Sequence, residues 1–208
     1  MISIIDYKMG NIKSVQNALS FLGAQHRIAS SSEDILNSEK IILPGVGSFK
    51  QAMQNIREMG LYEVIRKVVL VQKIPLLGIC LGMQLLADTG EEDGFSEGLG
   101  LIPGKVCKMN MTDSLLKIPH IGFNSVFYTE GNFLFKGLEN PTDFYFVHSY
   151  HFIVNNEKHL SSYAVYGEKF AASVQKDNIF GTQFHPEKSQ SNGLKVLKNF
   201  IDWNSAHA

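Results

Sequence analysis

Apolar and polar positions in the first half of the chain switch between short continuous runs and helical spacings. Ser3–Tyr7, Gln25–Ala29, Lys40–Leu43 and Leu76–Ile79 are compact, mostly apolar stretches of strand length. Between them Ile12, Val15, Leu19 and Leu22 recur at helical spacing, with Asn11 placed to cap the helix and Gly23 to end it. Ser31 or Ser32 starts a brief second helix with Glu33 and Asp34 in its first turn. Phe49–Met59 and Leu61–Val71 read as one helix broken near Gly60 or as two, finished before Pro75. Strands alternating with helices predict a parallel sheet covered on both faces.

The pattern changes after Leu86. The glycines and carboxylates of Asp88–Gly100 predict a surface loop. Leu101–Lys108 reads as a strand kinked at Pro103-Gly104, Lys108–Lys117 as irregular, Ser125–Tyr128 as extended and Leu134–Leu138 as a short element. Phe144–Val147 is strand-like and ends in a loop carrying His148 and His151. Ser162–Tyr166, Ala171–Gln175 and Ile179–Phe184, separated by turns, predict an antiparallel portion. Asn192 is placed to cap a last helix, and Asn204–Ala208 reads as a frayed tail. The fold expected is α/β, flavodoxin-like: a mixed, mostly parallel central sheet flanked by helices with an antiparallel C-terminal portion. Residues 1–208 are expected to form one domain.

Composition narrows the function classes. A formal net charge of -1 offers no general attraction to nucleic acid or an anionic membrane. No stretch approaches 18 apolar residues, so no membrane span is expected. The N-terminus lacks a basic leader, and two cysteines suggest neither a disulfide scaffold nor a zinc cluster. His148 and His151 have no third ligand close in sequence, so no metal site is expected. A reducing cytoplasm fits best.

The chemistry concentrates where the strand Leu76–Ile79 meets Cys80, in Gly78-Ile-Cys80-Leu-Gly82, followed by the helical pattern Met83–Leu86. A nucleophile on a sharp strand-to-helix turn stands clear of its own backbone, and small flanking residues let the turn close. The following helix adds partial positive charge beside the sulfur. Cys107 has no partner motif and reads as structural. The loop Pro44-Gly45-Val46-Gly47-Ser48 can turn its amides inward around developing negative charge. In Phe184-His185-Pro186-Glu187, an extended backbone puts His185 and Glu187 on one side, the base half of a Cys-His-acid triad. On chemistry alone His148 competes for the base role.

Gly78-Ile-Cys80-Leu-Gly82-Met-Gln84 together with Phe184-His185-Pro186-Glu187 resembles the class I, triad-type glutamine amidotransferases. The Asp6–Asn11 turn, the Pro44–Gly47 loop, His120-Ile-Gly122-Phe-Asn124, Tyr145–Tyr150 and Gly181–Ser189 narrow this to the glutaminase subunits of imidazole glycerol phosphate synthases. The resemblance spans essentially the whole chain. It departs from the family pattern at Phe123, where Trp is usual, and at Gln190, where Gly is common. It implies Cys80 as nucleophile, His185 as base and Glu187 as its orienter. Leu81 with Val46 or Gly47 would supply the oxyanion hole. Gly45, Gln84, His148, Ser149 and Tyr150 would hold L-glutamine, with no cofactor. A docking face of Tyr7, Asn11, His120, Phe123, Asn124 and Lys188 would meet a (β/α)8-barrel cyclase in a heterodimer serving histidine biosynthesis. The alternative is a partner that amidinates surface sugars. A free-standing hydrolase and a silent scaffold are the competing classes, and the intact Cys80, His185, Glu187 and Gln84 set argues against the scaffold.

Overall fold

A computed structural model describes residues 1–110 and 116–204. The strands are β1 (Ile2–Ile5), β2 (His26–Ala29), β3 (Lys40–Gly45), β4 (Leu76–Cys80), β5 (Thr89–Gly90), β6 (Ser96–Glu97), β7 (Gly104–Lys108), β8 (His120–Tyr128), β9 (Thr142–His148), β10 (Tyr150–Val154), β11 (Leu160–Tyr166), β12 (Glu168–Lys176) and β13 (Ile179–Thr182). The helices are α1 (Ile12–Phe21), α2 (Ser32–Leu36), α3 (Phe49–Glu58), α4 (Tyr62–Leu70), α5 (Leu81–Gln84) and α6 (Gln190–Asp202).

Among the described residues one sheet has nine strands, ordered β2-β1-β3-β4-β13-β12-β11-β8-β9. Pairing is parallel from β2 to β13 and antiparallel from β13 to β9. A four-stranded sheet, β10-β7-β5-β6, lies beside it. The apolar runs are continuous because each parallel strand feeds two cores. Ile5, Ile41, Leu43 and Leu76 pack with α3 and α4, whereas Ile4, Ile42 and Leu77 pack with α1 and α6. Lys40 locks the second layer by donating to the α6 carbonyls of Phe200 and Ile201 at 3.0 and 2.6 Å.

The starts expected for the first two helices hold. Asn11 accepts from Ser14 N at 3.4 Å, and Ser31 accepts from Asp34 N at 3.2 Å. Phe49–Met59 and Leu61–Val71 are two helices, with Gly60 at φ +68 between them. Other boundaries differ. The loop expected at His148–His151 is a transfer between sheets: the chain leaves β9, bends at Ser149 and enters β10 in the smaller sheet. Each short segment is half of a different ladder, so no local alternation announces β10. Strand β8 begins at His120 rather than Ser125, because pairing with β9 extends to His120↔His148. Asp88–Gly100 is not wholly a surface loop, since β5 and β6 anchor it and Leu99 is buried. Asn192 lies inside α6, donating to Asp143 O at 3.3 Å, and Ser189 stands at the cap position. Parts of Lys108–Lys117 and of the tail Asn204–Ala208 lie outside the described residues.

Candidate active site

Cys80 is the last residue of β4 and has φ 54 and ψ −110. A non-glycine residue in such backbone space costs on the order of 1–3 kcal/mol and persists only where its surroundings hold it there. Two glycines make the turn possible. A Cβ on Gly82 would sit 1.7 Å from the Leu43 carbonyl oxygen, and one on Gly78 would sit 2.5 Å from the Gly82 oxygen. The helix that follows is only the single turn Leu81–Gln84, so the positive charge expected from a helix dipole is small. The elbow is set by packing and strain.

The last β3–β4 register pair is Gly45↔Cys80, so the Val46-Gly47 loop leaves the sheet directly beside the sulfur. Gly47 has φ +104, and both loop residues are exposed. Tyr7 braces the loop from beneath, donating from its hydroxyl to Pro44 O at 2.8 Å. Its ring is fully buried, and burial raises its pKa. Tyr7 therefore cannot belong to the expected docking face: β1 ends at Ile5, and the turn after it folds the ring inward.

His185 and Glu187 meet by a different local geometry from the one expected. His185 is extended, but Pro186–Lys188 forms a 3-10 turn that curls the Glu187 carboxylate back onto His185 Nδ1 at 2.8 Å. Both side chains are 2% exposed. The turn is stitched to β9 by His185 N donating to Tyr145 O at 2.9 Å and Tyr145 N donating to Ser189 Oγ at 2.9 Å. Burial pulls the His185 pKa down, but its interactions with Cys80 and Glu187 outweigh this and raise it to about 10. Nδ1 is committed to Glu187, and Nε2, on the other edge of the ring, is buried without a hydrogen-bond partner among the described residues. His148, the competing base, is instead hydrogen-bonded to Tyr150 O at 2.9 Å and His120 at 3.0 Å.

A pocket of about 380 Å³ opens on Cys80, lined by Val46, Gly47, Leu81, Gln84, Glu92, Val147, His148, Ser149 and Tyr150 among others. A matching sequence profile decides which family this arrangement belongs to: the one described as Glutamine amidotransferase class-I covers residues 3–203.

The chain belongs to the class-I glutamine amidotransferases.

Within that family its relatives are close. It is 52% identical to imidazole glycerol phosphate synthase subunit HisH 1 of Campylobacter jejuni (strain RM1221), over 97% of this chain and 99% of the relative. It is 47% identical to subunit HisH of Sulfurimonas denitrificans (strain ATCC 33889 / DSM 1251), over 98% of each. A crystal structure of a glutamine amidotransferase superposes with a TM-score of 0.75 at 18% identity, covering 97% of both chains, a likeness of fold alone.

On this amidotransferase fold the sequence-predicted residues separate into two groups. Cys80, His185, Glu187, Val46, Gly47, Leu81, Gln84, His148, Ser149 and Tyr150 converge at the pocket or immediately behind it. Gly45 is buried one step below it. The docking group is less uniform. His120 is 2% exposed, stacked between Tyr166 and Phe146, so it is an interior residue and the expected surface role is wrong. Its strand alternates, putting Ile121 and Phe123 outward at 60% and 51% exposure. Phe123 packs edge-on to Tyr145, and exposed Lys188 lies over that same ring at 5.9 Å. Asn11 is used as the α1 cap, and Asn124 donates to Val165 O at 2.9 Å.

Two residues were missed. Glu92, hidden in the acidic stretch, is half-buried and lines the pocket, its carboxylate accepting from Phe49 N at 3.0 Å. Burial raises its pKa. Gln183, fully buried, donates to Cys80 Sγ at 3.7 Å and accepts from Gln84 Nε2 at 3.0 Å. Glu92 carries no local signal, whereas Gln183 sits two residues before His185 in the same motif. Cys107, expected to be structural for want of a partner motif, lies 3.4 Å from His151 Nε2, and burial raises its thiol pKa.

Proposed function

We propose that the chain is the glutaminase subunit of an imidazole glycerol phosphate synthase, acting in the cytoplasm in histidine biosynthesis. It hydrolyses L-glutamine to glutamate and delivers ammonia to a (β/α)8-barrel cyclase bound as a heterodimer. The observation that carries this reading is the strained Cys80 elbow beside a buried imidazole held at 2.8 Å by Glu187. The pocket fits the substrate. Its Glu92 carboxylate suits an α-ammonium, and the β9–β10 bend at Ser149 offers backbone groups to the α-carboxylate.

In this mechanism His185 takes the Cys80 proton, and the sulfur attacks the side-chain amide carbon of glutamine. The carbonyl oxygen becomes an oxyanion held by the Leu81 amide and an amide of Val46 or Gly47. As the C–N bond breaks, His185 returns the proton to the departing nitrogen and ammonia leaves. Water, deprotonated by His185, then attacks the thioester and frees glutamate and the Cys80 thiol. Glu187 keeps the proton on Nδ1 and supports the imidazolium.

The exposed Ile121, Phe123 and Lys188, gathered around the half-buried Tyr145 ring, form the docking face for the cyclase. Ammonia released to water would be protonated and lost, so turnover is gated by the partner through the Gly45-Val46-Gly47 loop. One misdirected amide there withholds about 3 kcal/mol, roughly a hundredfold in rate. The test is glutamine turnover by the isolated chain, then with the barrel cyclase of the same organism and its phosphoribosyl-carboxamide substrate. Low basal turnover that rises about a hundredfold supports the proposal. Full activity in isolation refutes the gating, and stimulation only by a sugar-amidinating enzyme refutes the pathway.

A further inference from the structure

A hydrogen-bonded chain of buried groups runs along the pocket wall, and its proton positions are fixed by the Tyr150 carbonyl within it and the Asn124 amide at one end. His148 Nδ1 lies 2.9 Å from the carbonyl oxygen of Tyr150, which has no proton to give, so Nδ1 carries it. Neutral His148 therefore accepts at Nε2, where His120 Nδ1 stands at 3.0 Å and must be the donor. His120 in turn accepts at Nε2 from Asn124 Nδ2 at 3.4 Å. The Asn124 amide cannot be reversed, since its nitrogen donates to Val165 O at 2.9 Å and its oxygen accepts from Ser125 N at 2.8 Å. Both rings are neutral: burial lowers the pKa of His120 to about 4 and that of His148 to about 3.

The chain does not stop at Tyr150. The same carbonyl accepts from Gln84 Nε2 at 3.0 Å. That nitrogen spends its other hydrogen on Gln183 Oε1 at 3.0 Å, and Gln183 Nε2 donates to Cys80 Sγ at 3.7 Å. His120, His148, Gln84 and Gln183 are all buried, so a bond broken inside the chain finds no water to replace it.

We propose that His120 is a positioning residue for glutamine turnover: its Nδ1–H holds His148, His148 holds the Tyr150 carbonyl, and that carbonyl anchors the Gln84–Gln183 pair that orients the Cys80 sulfur. This rests on the glutaminase reading and deepens it. Interior stacking alone explains the aromatic partners of His120. It does not explain an unbroken hydrogen-bonded chain in which His148 and Gln84 meet as donors on the Tyr150 carbonyl and the Gln84–Gln183 arm ends on the sulfur.

The two useful variants separate shape from hydrogen bonding. His120→Phe keeps a flat ring between Phe146 and Tyr166 but leaves His148 Nε2 buried and unpaired. His120→Asn gives up the ring but places an amide N–H near the Nδ1 position. The assay is saturation kinetics of Cys80 alkylation by 6-diazo-5-oxo-L-norleucine, a glutamine-mimicking electrophile, on the intact isolated chain. The limiting rate should fall about tenfold in His120→Phe, the scale of a buried hydrogen bond left unmade. It should return to within about threefold of wild type in His120→Asn, although Asn removes more packing. A stability role predicts the opposite order, and finding that order overturns the proposal, as does a wild-type limiting rate in folded His120→Phe. Should His120→Phe fail to fold, imidazole 15N NMR of the wild-type chain near pH 6 decides. Neutral Nδ1–H tautomers at His120 and His148 support the chain; an Nε2–H or charged ring at either breaks it. Wild-type protein that ignores the electrophile both alone and with the cyclase and its substrate present refutes the glutaminase reading and this inference with it. Normal wild-type labelling with an unaffected His120→Phe refutes this inference alone.

Discussion

Replacing Glu187 by Gln isolates what the carboxylate charge does from what its position does. The two oxygens of Glu187 have different surroundings. Oε1 takes the His185 Nδ1 hydrogen at 2.8 Å, while Oε2 is buried with no hydrogen-bond partner among the described residues. A glutamine here has one good orientation, with its oxygen toward Nδ1, because the opposite orientation would set N–H against N–H. His185 therefore keeps its proton on Nδ1, and its Nε2 edge stays available to Cys80. What disappears is the charge. A hydrogen bond to a charged group is worth about 1.5–3 kcal/mol and a neutral one about 0.5–1.5. The difference, roughly 1–2 kcal/mol, corresponds to about a five- to thirtyfold loss in kcat. KM for glutamine should hold, since Glu187 does not line the pocket. Glutamate release, followed through a glutamate dehydrogenase couple with the cyclase and its substrate present, measures both. His185→Ala run alongside should lose nearly all turnover. Equal losses in the two variants would refute the reasoning, because the Gln variant would then have disturbed the tautomer or the turn. Undiminished activity would remove Glu187 from the mechanism.

Other consequences are equally direct. A glutamine-mimicking electrophile should modify Cys80 and leave Cys107, whose thiol pKa is raised by burial; peptide mass mapping that finds Cys107 labelled and Cys80 free would contradict this. Cys80→Ala should abolish glutamine hydrolysis while an assembled complex still uses free ammonia. Glu92→Gln should raise KM for glutamine about tenfold with little change in kcat, as expected for loss of a charge-assisted contact to the α-ammonium, and steady-state kinetics would show otherwise if kcat fell instead. Stability should depend on pH in two windows with opposite causes. The lowered pKa values of His120 and His148 mean that the unfolded chain binds protons the folded chain refuses, so stability falls as pH drops from about 6.5 through about 4 and 3. The raised pKa of His185 gives stability that is full below about 6.5 and lost as pH rises through about 10. Urea denaturation across this range tests both, and His120→Asn should flatten only the acid side.

The continuous apolar runs of β1, β3 and β4 and the helical spacings between them were enough to announce a parallel sheet, since a strand buried on both faces has no polar side to show. The two parts of the site lie in local signatures as well: the glycines around Cys80 and the His185-Pro-Glu187 turn are each written within a few residues. What the linear text could not carry is anything that depends on which segments become neighbours. Tyr7 and His120 are polar residues beside turns, and only the folding of the post-β1 turn and the β8–β9 register buries them. Glu92 belongs to a stretch that reads as solvated, and it enters the pocket because Asp88–Gly100 is pinned by a second sheet. The β9–β10 bend leaves no trace in periodicity, because a chain that changes sheets satisfies each ladder only briefly. Sequence specifies the chemistry of a group and its nearest companions. Which buried hydrogen bonds those groups must make, and therefore where their protons sit, is settled by tertiary packing, where an unpaired polar atom has no water to turn to.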